Sequence, residues 1–366
     1  MRVLQIINAL GTGGAEKLLL DTLPLYRKQG IEMDILLFWN HQLPFTKALM
    51  ALNICKVYIL HETDVPKDIY KLSNIPKLAA ILKNYDIAHV HLFPAQYYTV
   101  LANWLNGKKT KLVFTEHNTS NSRTRRPMVK PIERLVYRGF RHLICISEDI
   151  ETIYRSYLKF PDGYYKRILN GVDLDNISNA ISYPRSNLWE NLSETDRLMI
   201  QVSSFRAQKD QPTLIRVMQL LPEKFKLILV GDGPLRADCE QLVRELNLNE
   251  RVFFMGQRMD VPQLLKTADF VVLSSHYEGL SLSSVEGLAS GRPFIASDVV
   301  GLREVVQGAG CLFPAGDASQ LAREILNLEH HPEDYQRVAA AGLVRARQFD
   351  ISTMVQKHID LYKSLM

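Results

Sequence analysis

Short apolar runs rich in β-formers alternate with stretches of helical spacing along this chain, and the pattern runs through twice. In the first half RVLQIINAL, EMDILLF, DIAHVHLF, TKLVFTEHN and HLICISE read as strands. AEKLLLDTLPLYRKQG, residues 74–84, QYYTVLANWLNG and PIERLVYRGFR read as helices between them, and KRILNGVDLD closes the half. The pattern restarts with RLMIQVSSF, FKLILVGDGP, RVFFMG, FVVLSS and PFIASD as strands. PTLIRVMQLL, PLRADCEQLVREL, VPQLLKTA and SVEGLAS are the helices of this second half. Strands separated by helix-length segments demand parallel pairing with crossovers, so the expected class is α/β, with two Rossmann-like, doubly wound sheets. The expected domains are 1–175 and 190–348. The polar SNAISYPRSNLWENLSETD is read as a linker, and the amphipathic 349–366 as a helix packing back on the first domain. In such sheets ligands bind beyond the carboxyl ends of the strands, here expected in a central cleft, so residues just after strands become the candidates.

The chain's 366 residues, with 46% hydrophobic and 23% charged content, suit a soluble two-domain protein. No apolar run reaches the ~20 residues that span a bilayer, and MRVLQIINAL is not read as a leader, so a cytoplasmic location is expected. Cys55, Cys145, Cys239 and Cys311 show no paired spacing and are read as reduced, mostly buried thiols. Residues 1–180 hold 24 Lys/Arg against 16 Asp/Glu, and residues 181–366 hold 20 against 23. Arg123, Arg125, Arg126, Lys130, Arg134, Arg138 and Arg141 fall within nineteen residues opposed only by Glu133. Such a tract is either a solvated helix face or the footprint of an anionic partner, including the inner face of a membrane. A nucleic-acid role is disfavoured, because no recognition module accompanies the tract.

GTGGAE at 11–16 follows the first strand and opens a helix, where Gly13 and Gly14 let a ligand approach the backbone. Its glycines do not follow G-x-G-x-x-G, and no acidic residue ends the second strand, so NAD is excluded; no P-loop lysine is present. His117 in TEHN ends a strand at the expected cleft. His89 and His91 are expected to project to opposite faces of their strand and so to fail as a metal pair. Arg206 and Lys209 suit a diphosphate. GDGP, with Gly231 and Gly233, repeats the strand–glycine–helix device, and Asp173 and Asp175 are read as linker structure rather than a metal motif. HYEGLSLSSVEGLASG places Glu278 at a strand's carboxyl end and Glu286 in the first turns of the next helix, with an amide-lined loop between. Two carboxylates that accept from paired hydroxyls, beside amides and cations that take phosphate, describe a nucleotide sugar.

Taken together, GGAE, TEHN, NGVD, QKD, GDGP and EGLSLSSVEGLASGRPFIASDVVGLREVV resemble the family 4 retaining glycosyltransferases with the GT-B fold, over essentially the whole chain. The resemblance implies a metal-independent transfer, with no cofactor, from a nucleotide sugar, UDP-linked in preference to GDP-mannose, to a glycan or lipid-linked acceptor in polysaccharide or glycolipid synthesis. It implies Gly13 and Gly14 near the donor phosphates, His117 beside the reacting centre, and Arg206 and Lys209 on the leaving diphosphate. Glu278 with the amides of Gly279, Leu280 and Ser281 would hold the donor sugar, Leu282 would lie near the phosphate, and Glu286 would take the ribose. Asn118 and the tract residues Arg123, Arg125, Arg126 and Lys130 are assigned to acceptor or membrane. The sequence departs from the family where an arginine commonly stands five residues before the lysine; Ser204 is there, which leaves Arg206 less secure than Lys209. The alternatives are a UDP-sugar 2-epimerase of the same fold and a non-catalytic nucleotide-sugar-binding protein.

Overall fold

The computed structural model describes residues 1–117, 126–189 and 192–366. The chain divides into two compact units, Met1–Gly171 with Ile351–Met366, and Val172–Asp350. The strands of the first are β1 (Arg2–Ile7), β2 (Glu32–Leu37), β3 (Val57–Ile59), β4 (Ile87–His91), β5 (Lys111–Glu116), β6 (His142–Cys145) and β7 (Tyr165–Arg167). They form one sheet in the order β3-β2-β1-β4-β5-β6-β7, parallel throughout. The second unit holds β8 (Arg197–Val202), β9 (Phe225–Val230), β10 (Val252–Gly256), β11 (Phe270–Leu273), β12 (Phe294–Ser297) and β13 (Cys311–Phe313). Their order is β10-β9-β8-β11-β12-β13, again parallel.

Parallel sheets carry helices on both faces, so their strands read as continuous apolar runs. FVVL of β11 is buried at every position. Met199, Leu227, Leu229, Phe270, Val272 and Ile295 meet in the second core, and Leu4, Ile6, Leu36, Val90, Phe114 and Leu143 in the first. The helix Leu282–Ala289 lies against β12 at Gly287, where an added Cβ would come within 2.5 Å of the Phe294 ring. Only a residue without a side chain lets that helix, which carries Glu286, sit so close to the sheet.

The strand order reverses between β1 and β4 in the first unit and between β8 and β11 in the second. Loops leaving those strands diverge to opposite faces and open a crevice at their carboxyl ends.

Three features depart from the sequence expectations. HLICISE does not stay extended to Glu148: β6 stops at Cys145, and Ser147 Oγ accepts from Ile150 N at 3.2 Å to start the helix Glu148–Leu158, whose first turn is acidic. The segment read as a linker belongs to the second unit, which begins at Val172 rather than 190. There Tyr183 OH donates to Asp260 at 2.7 Å, Arg185 spans both oxygens of Asp269, and Trp189 packs on Phe253 with ring centroids 4.5 Å apart. Polarity signals a linker only when those polar groups find no partners in a domain. Two of the four cysteines, Cys55 and Cys311, are only half-buried; all four are free thiols.

Candidate active site

In the second unit the candidate side chains Lys209 and Glu278 meet at the reversal between β8 and β11. Gln201, buried in β8, accepts from Ser274 N and Oγ at 3.2 and 2.9 Å and donates to Lys209 O at 3.0 Å. Ser274 Oγ, just past β11, is also 2.9 Å from Asp210 O. These bonds fasten the loop after β8 to the end of β11, and Asp210, at a left-handed φ of 44°, turns the chain into the helix Gln211–Val217. The result brings Lys209 Nζ onto Glu278 Oε1, which also accepts from Ser275 Oγ at 2.6 Å. The lysine side chain is 15% exposed and the glutamate 6%.

The loop that follows is held by its backbone. His276 N donates to Gln208 O and Gln208 Nε2 to Tyr277 O, both at 2.8 Å, and Glu278 N donates to Val300 O at 3.3 Å. Gly301, at φ 84°, leaves no room for a Cβ against the Glu278 carbonyl. Gly279 and buried Leu280 lead into Ser281, which opens the helix at Leu282 without a capping bond from its own side chain. Glu286 is buried in that helix, so the two glutamates stand at the two ends of one short strand-to-helix connection. Gly231 and Gly233, after β9, adopt φ of 132° and 158°, and a side chain on either would strike the backbone of Ser203 or Phe205 in the loop before Lys209. They are therefore packing positions for that loop. Arg206 is exposed at the start of the same loop, three residues before Lys209 and outside the ion pair.

In the first unit Gly13 precedes the helix Gly14–Lys28 directly after β1; both glycines are exposed, and the Glu16 side chain lies over Gly13. His117 follows β5 and is half-buried. Here the expectation for His89 and His91 is overturned. Residues two apart on a strand share a face, and the rings stand 4.3 Å apart. Cross-strand register adds Gln5 and Thr115 to that face. His91 Nδ1 lies 3.0 Å from His117 Nε2, and His91 Nε2 is 2.8 Å from Gln5 Oε1. His89 bonds Thr115 Oγ1 at 2.6 Å and Tyr362 OH at 2.5 Å, and His358 Nδ1 bonds Tyr26 OH at 2.5 Å. The helix Ile351–Ser364 thus docks on the first unit through a polar seam. Burial lowers the His117 pKa to about 4 and that of His358 to about 3, and holds His89 and His91 well below the usual 6.5.

Asn118, Arg123 and Arg125 lie outside the described residues. Arg126 is exposed, Lys130 Nζ sits 5.3 Å from the Tyr157 ring centroid, and Arg134 and Arg138 lie over Phe160. The helix Lys130–Tyr137 turns Ile132 and Leu135 outward, and Met128 before it is 90% exposed. Asp173 accepts from Asn176 N and caps a short helix. Among the described residues no group of three His, Cys, Asp or Glu is placed to hold a metal ion. No helix among them is long and apolar enough to cross a membrane.

Sequence reading missed Gln201, Ser274 and Ser275, which position Lys209 and Glu278, and the Gln5–His91 pair behind His117. The two serines follow β11 and were open to the same carboxyl-end rule; polar residues inside the apolar β1 and β4 were the signal for the others.

Two parallel α/β units, each with one reversal of strand order and the first with a glycine turn after its first strand, have the architecture of the GT-B class. Family models agree: residues 12–176 match Glycosyltransferase Family 4 and residues 187–344 match Glycosyl transferases group 1. The chain belongs to the GT-B glycosyltransferases of this family 4 type. N-acetyl-alpha-D-glucosaminyl L-malate synthase of Bacillus anthracis is 26% identical over 365 residues, covering 89% of this chain and 90% of that one. The Escherichia coli UDP-Gal:alpha-D-GlcNAc-diphosphoundecaprenol alpha-1,3-galactosyltransferase is 29% identical over 253 residues, covering 64% and 63%. HepE from Anabaena, crystallised with UDP-glucose, superposes with a TM-score of 0.83 at 23% identity, over the whole of both chains.

Two outcomes are expected. Lys209→Met strands a buried carboxylate and should cost roughly 3 kcal/mol in urea unfolding, the low end for a broken buried pair because Ser275 still donates; Lys209→Met/Glu278→Gln should recover most of it. Equal loss in single and double variants would refute the coupling. Separately, an unfolded chain takes up protons near pH 6.5 that the folded histidine seam refuses. Stability is therefore full above about 6.5 and falls as pH drops toward 4, by up to roughly 1.4 kcal/mol per pH unit for each histidine. His358→Gln should make the fall between pH 7 and 5 shallower; an unchanged slope would clear His358.

Proposed function

We propose that this glycosyltransferase takes its sugar from a nucleotide sugar, UDP-linked in preference to GDP-linked, and passes it with retention of configuration to a hydroxyl of a glycan or lipid-linked acceptor. The observation that carries the reading is the joining of Lys209 and Glu278 at the switch point of the second unit, beside the connection that leads to Glu286. A buried cation held by a buried carboxylate suits the junction of a sugar and a diphosphate, with Lys209 toward phosphate and Glu278 toward sugar hydroxyls. Glu286 takes the ribose. Gly279, Leu280, Ser281 and Leu282 offer amides where the helix begins. Arg206 adds charge from solvent. The UDP preference draws on the UDP-glucose complex of HepE and the UDP-Gal donor of the E. coli relative, and the lipid-linked acceptor on the latter's diphosphoundecaprenol.

In this reading the acceptor oxygen bonds the anomeric carbon on the face from which the diphosphate leaves. The carbon–oxygen bond to phosphate breaks, and the departing phosphate takes the acceptor's proton. The protein then needs no nucleophile or base of its own; it positions the partners and stabilises charge. Lys209 neutralises the leaving group without a metal ion.

Thermal shift against UDP-, GDP-, ADP- and dTDP-sugars, each with and without EDTA, tests the donor. A UDP-sugar should stabilise the protein in EDTA, and Glu286→Ala should abolish the shift. Stabilisation that vanishes in EDTA would sink metal independence; stabilisation by GDP-sugars alone would move the donor to the runner-up.

The same proposal places the enzyme in the cytoplasm on an anionic inner membrane face. Exposed Arg126, with Lys130, Arg134 and Arg138, shares the stretch 126–138 with the outward Met128, Ile132 and Leu135, a combination that suits headgroups and the upper acyl layer. The protein should cosediment with phosphatidylglycerol vesicles at low salt, lose most of that binding at 0.5 M salt, where the Debye length is roughly 4 Å, and bind less after Ile132→Ser/Leu135→Ser. No binding at low salt would overturn this placement.

A further inference from the structure

The first sheet buries a polar row where apolar side chains would pack as well. Gln5 on β1, His91 on β4 and His117 after β5 form a chain of hydrogen bonds, 2.8 Å and then 3.0 Å, leading out from the core. Gln5 is 1% exposed and His91 3%. The direction of these bonds follows from what each atom can do. The Gln5 amide nitrogen faces Met33 Sδ at 3.3 Å and Tyr362 OH at 3.5 Å, both acceptors, which leaves its oxygen for His91. An amide oxygen only accepts, so His91 carries its proton on Nε2. A neutral His91 then has a lone pair on Nδ1, and His117 must donate to it from Nε2.

We infer that Gln5 and His91 are positioning residues which lock the His117 ring in its Nε2–H tautomer, leaving the Nδ1 lone pair to accept a hydrogen bond from a substrate hydroxyl. This rests on the proposed transferase reading for the identity of that hydroxyl. Among the described residues no hydrogen bond engages Nδ1, and the ring is half-buried at the end of β5. Burial keeps His117 neutral at physiological pH, so that without a lock either nitrogen could carry the single proton. An Nδ1–H ring would offer a donor where the locked ring offers an acceptor. Two residues remote from any ligand therefore decide the polarity of the contact, as a carboxylate does for the ring it orients in other histidine sites.

The full-length protein, labelled with 15N histidine, reports the tautomer directly through two-bond proton–nitrogen correlations, with the His117 signal assigned by its loss in His117→Gln. The wild type should show a pyrrole-like Nε2 and a pyridine-like Nδ1. In Gln5→Leu, His91 no longer has an acceptor for its Nε2 proton, so His117 should shift toward the Nδ1–H form. Turnover should fall roughly tenfold, the worth of one ordinary hydrogen bond, with KM for the nucleotide sugar little changed. An Nδ1–H ring in the wild type, or a tautomer indifferent to Gln5→Leu, overturns the inference; the wild-type spectrum alone decides it if the variant does not fold. A locked Nε2–H ring in a protein that turns over no nucleotide sugar would sink the transferase reading and leave the relay standing, and an active enzyme with the opposite tautomer would sink the relay alone.

Discussion

Parallel pairing is the constraint from which the rest follows. Two parallel neighbours cannot be joined by a tight turn, so every connection must cross the sheet, and the chain takes helices for the purpose. Building outward in both directions from β1 and again from β8 leaves one place in each sheet where adjacent strands send their loops to opposite faces. That place is a crevice before any particular side chain is chosen. Lys209 after β8 and Glu278 after β11 stand on its two sides in the second unit. The glycine turn after β1 belongs to the corresponding reversal in the first, and His117 follows the next strand over, β5. The candidate residues are scattered in sequence because the switch point collects the ends of strands that are far apart along the chain.

A crevice becomes a site only when its loops are fixed. In the second unit this is done by buried hydrogen bonds and by close backbone packing at glycines. Gln201 reads both the Lys209 carbonyl and Ser274; Gly231, Gly233 and Gly301 let backbone meet backbone where a Cβ would not fit; Gly287 lowers the Glu286 helix onto β12. Each lacks reactive chemistry. Removing the freedom of the loops is nonetheless what allows a lysine ammonium and a carboxylate to be buried together at tolerable cost, since a buried pair stabilises only when its geometry is held.

How much of this could be read from the amino-acid order depends on the range of the interaction. Strand–helix alternation is local, and it placed both sheets, most helices, the residues His117, Lys209 and Glu278 that follow strands, and Glu286 in the helix after β11. Capping is local too, yet Ser147 went unread because an apolar run before it masked the turn into Glu148–Leu158. The tethering of Tyr183, Arg185 and Trp189 was out of reach, because their partners Asp260, Asp269 and Phe253 lie more than sixty residues on and polarity alone looks the same in a linker and in a docked strap. The histidine seam shows both limits. His89 and His91 were set on opposite faces against the period of the strand, while His358, which closes the seam, comes from the last helix and has no sequence mark that ties it to β4.

That seam also separates stability from purpose. Gln5, His89, His91 and Thr115 occupy positions where valine or leucine would bury more apolar surface, and each buried polar group must be matched by a partner merely to break even. The matching here extends from Gln5 to the half-buried ring of His117, and from His89 through Tyr362 into the final helix. A core built for stability alone would end such a chain within itself. This one delivers a defined donor at one end of an imidazole and thereby fixes an acceptor at the other, at the point where the strand opens into the loop. The polar row is best understood as part of the site, reaching into the fold that supports it.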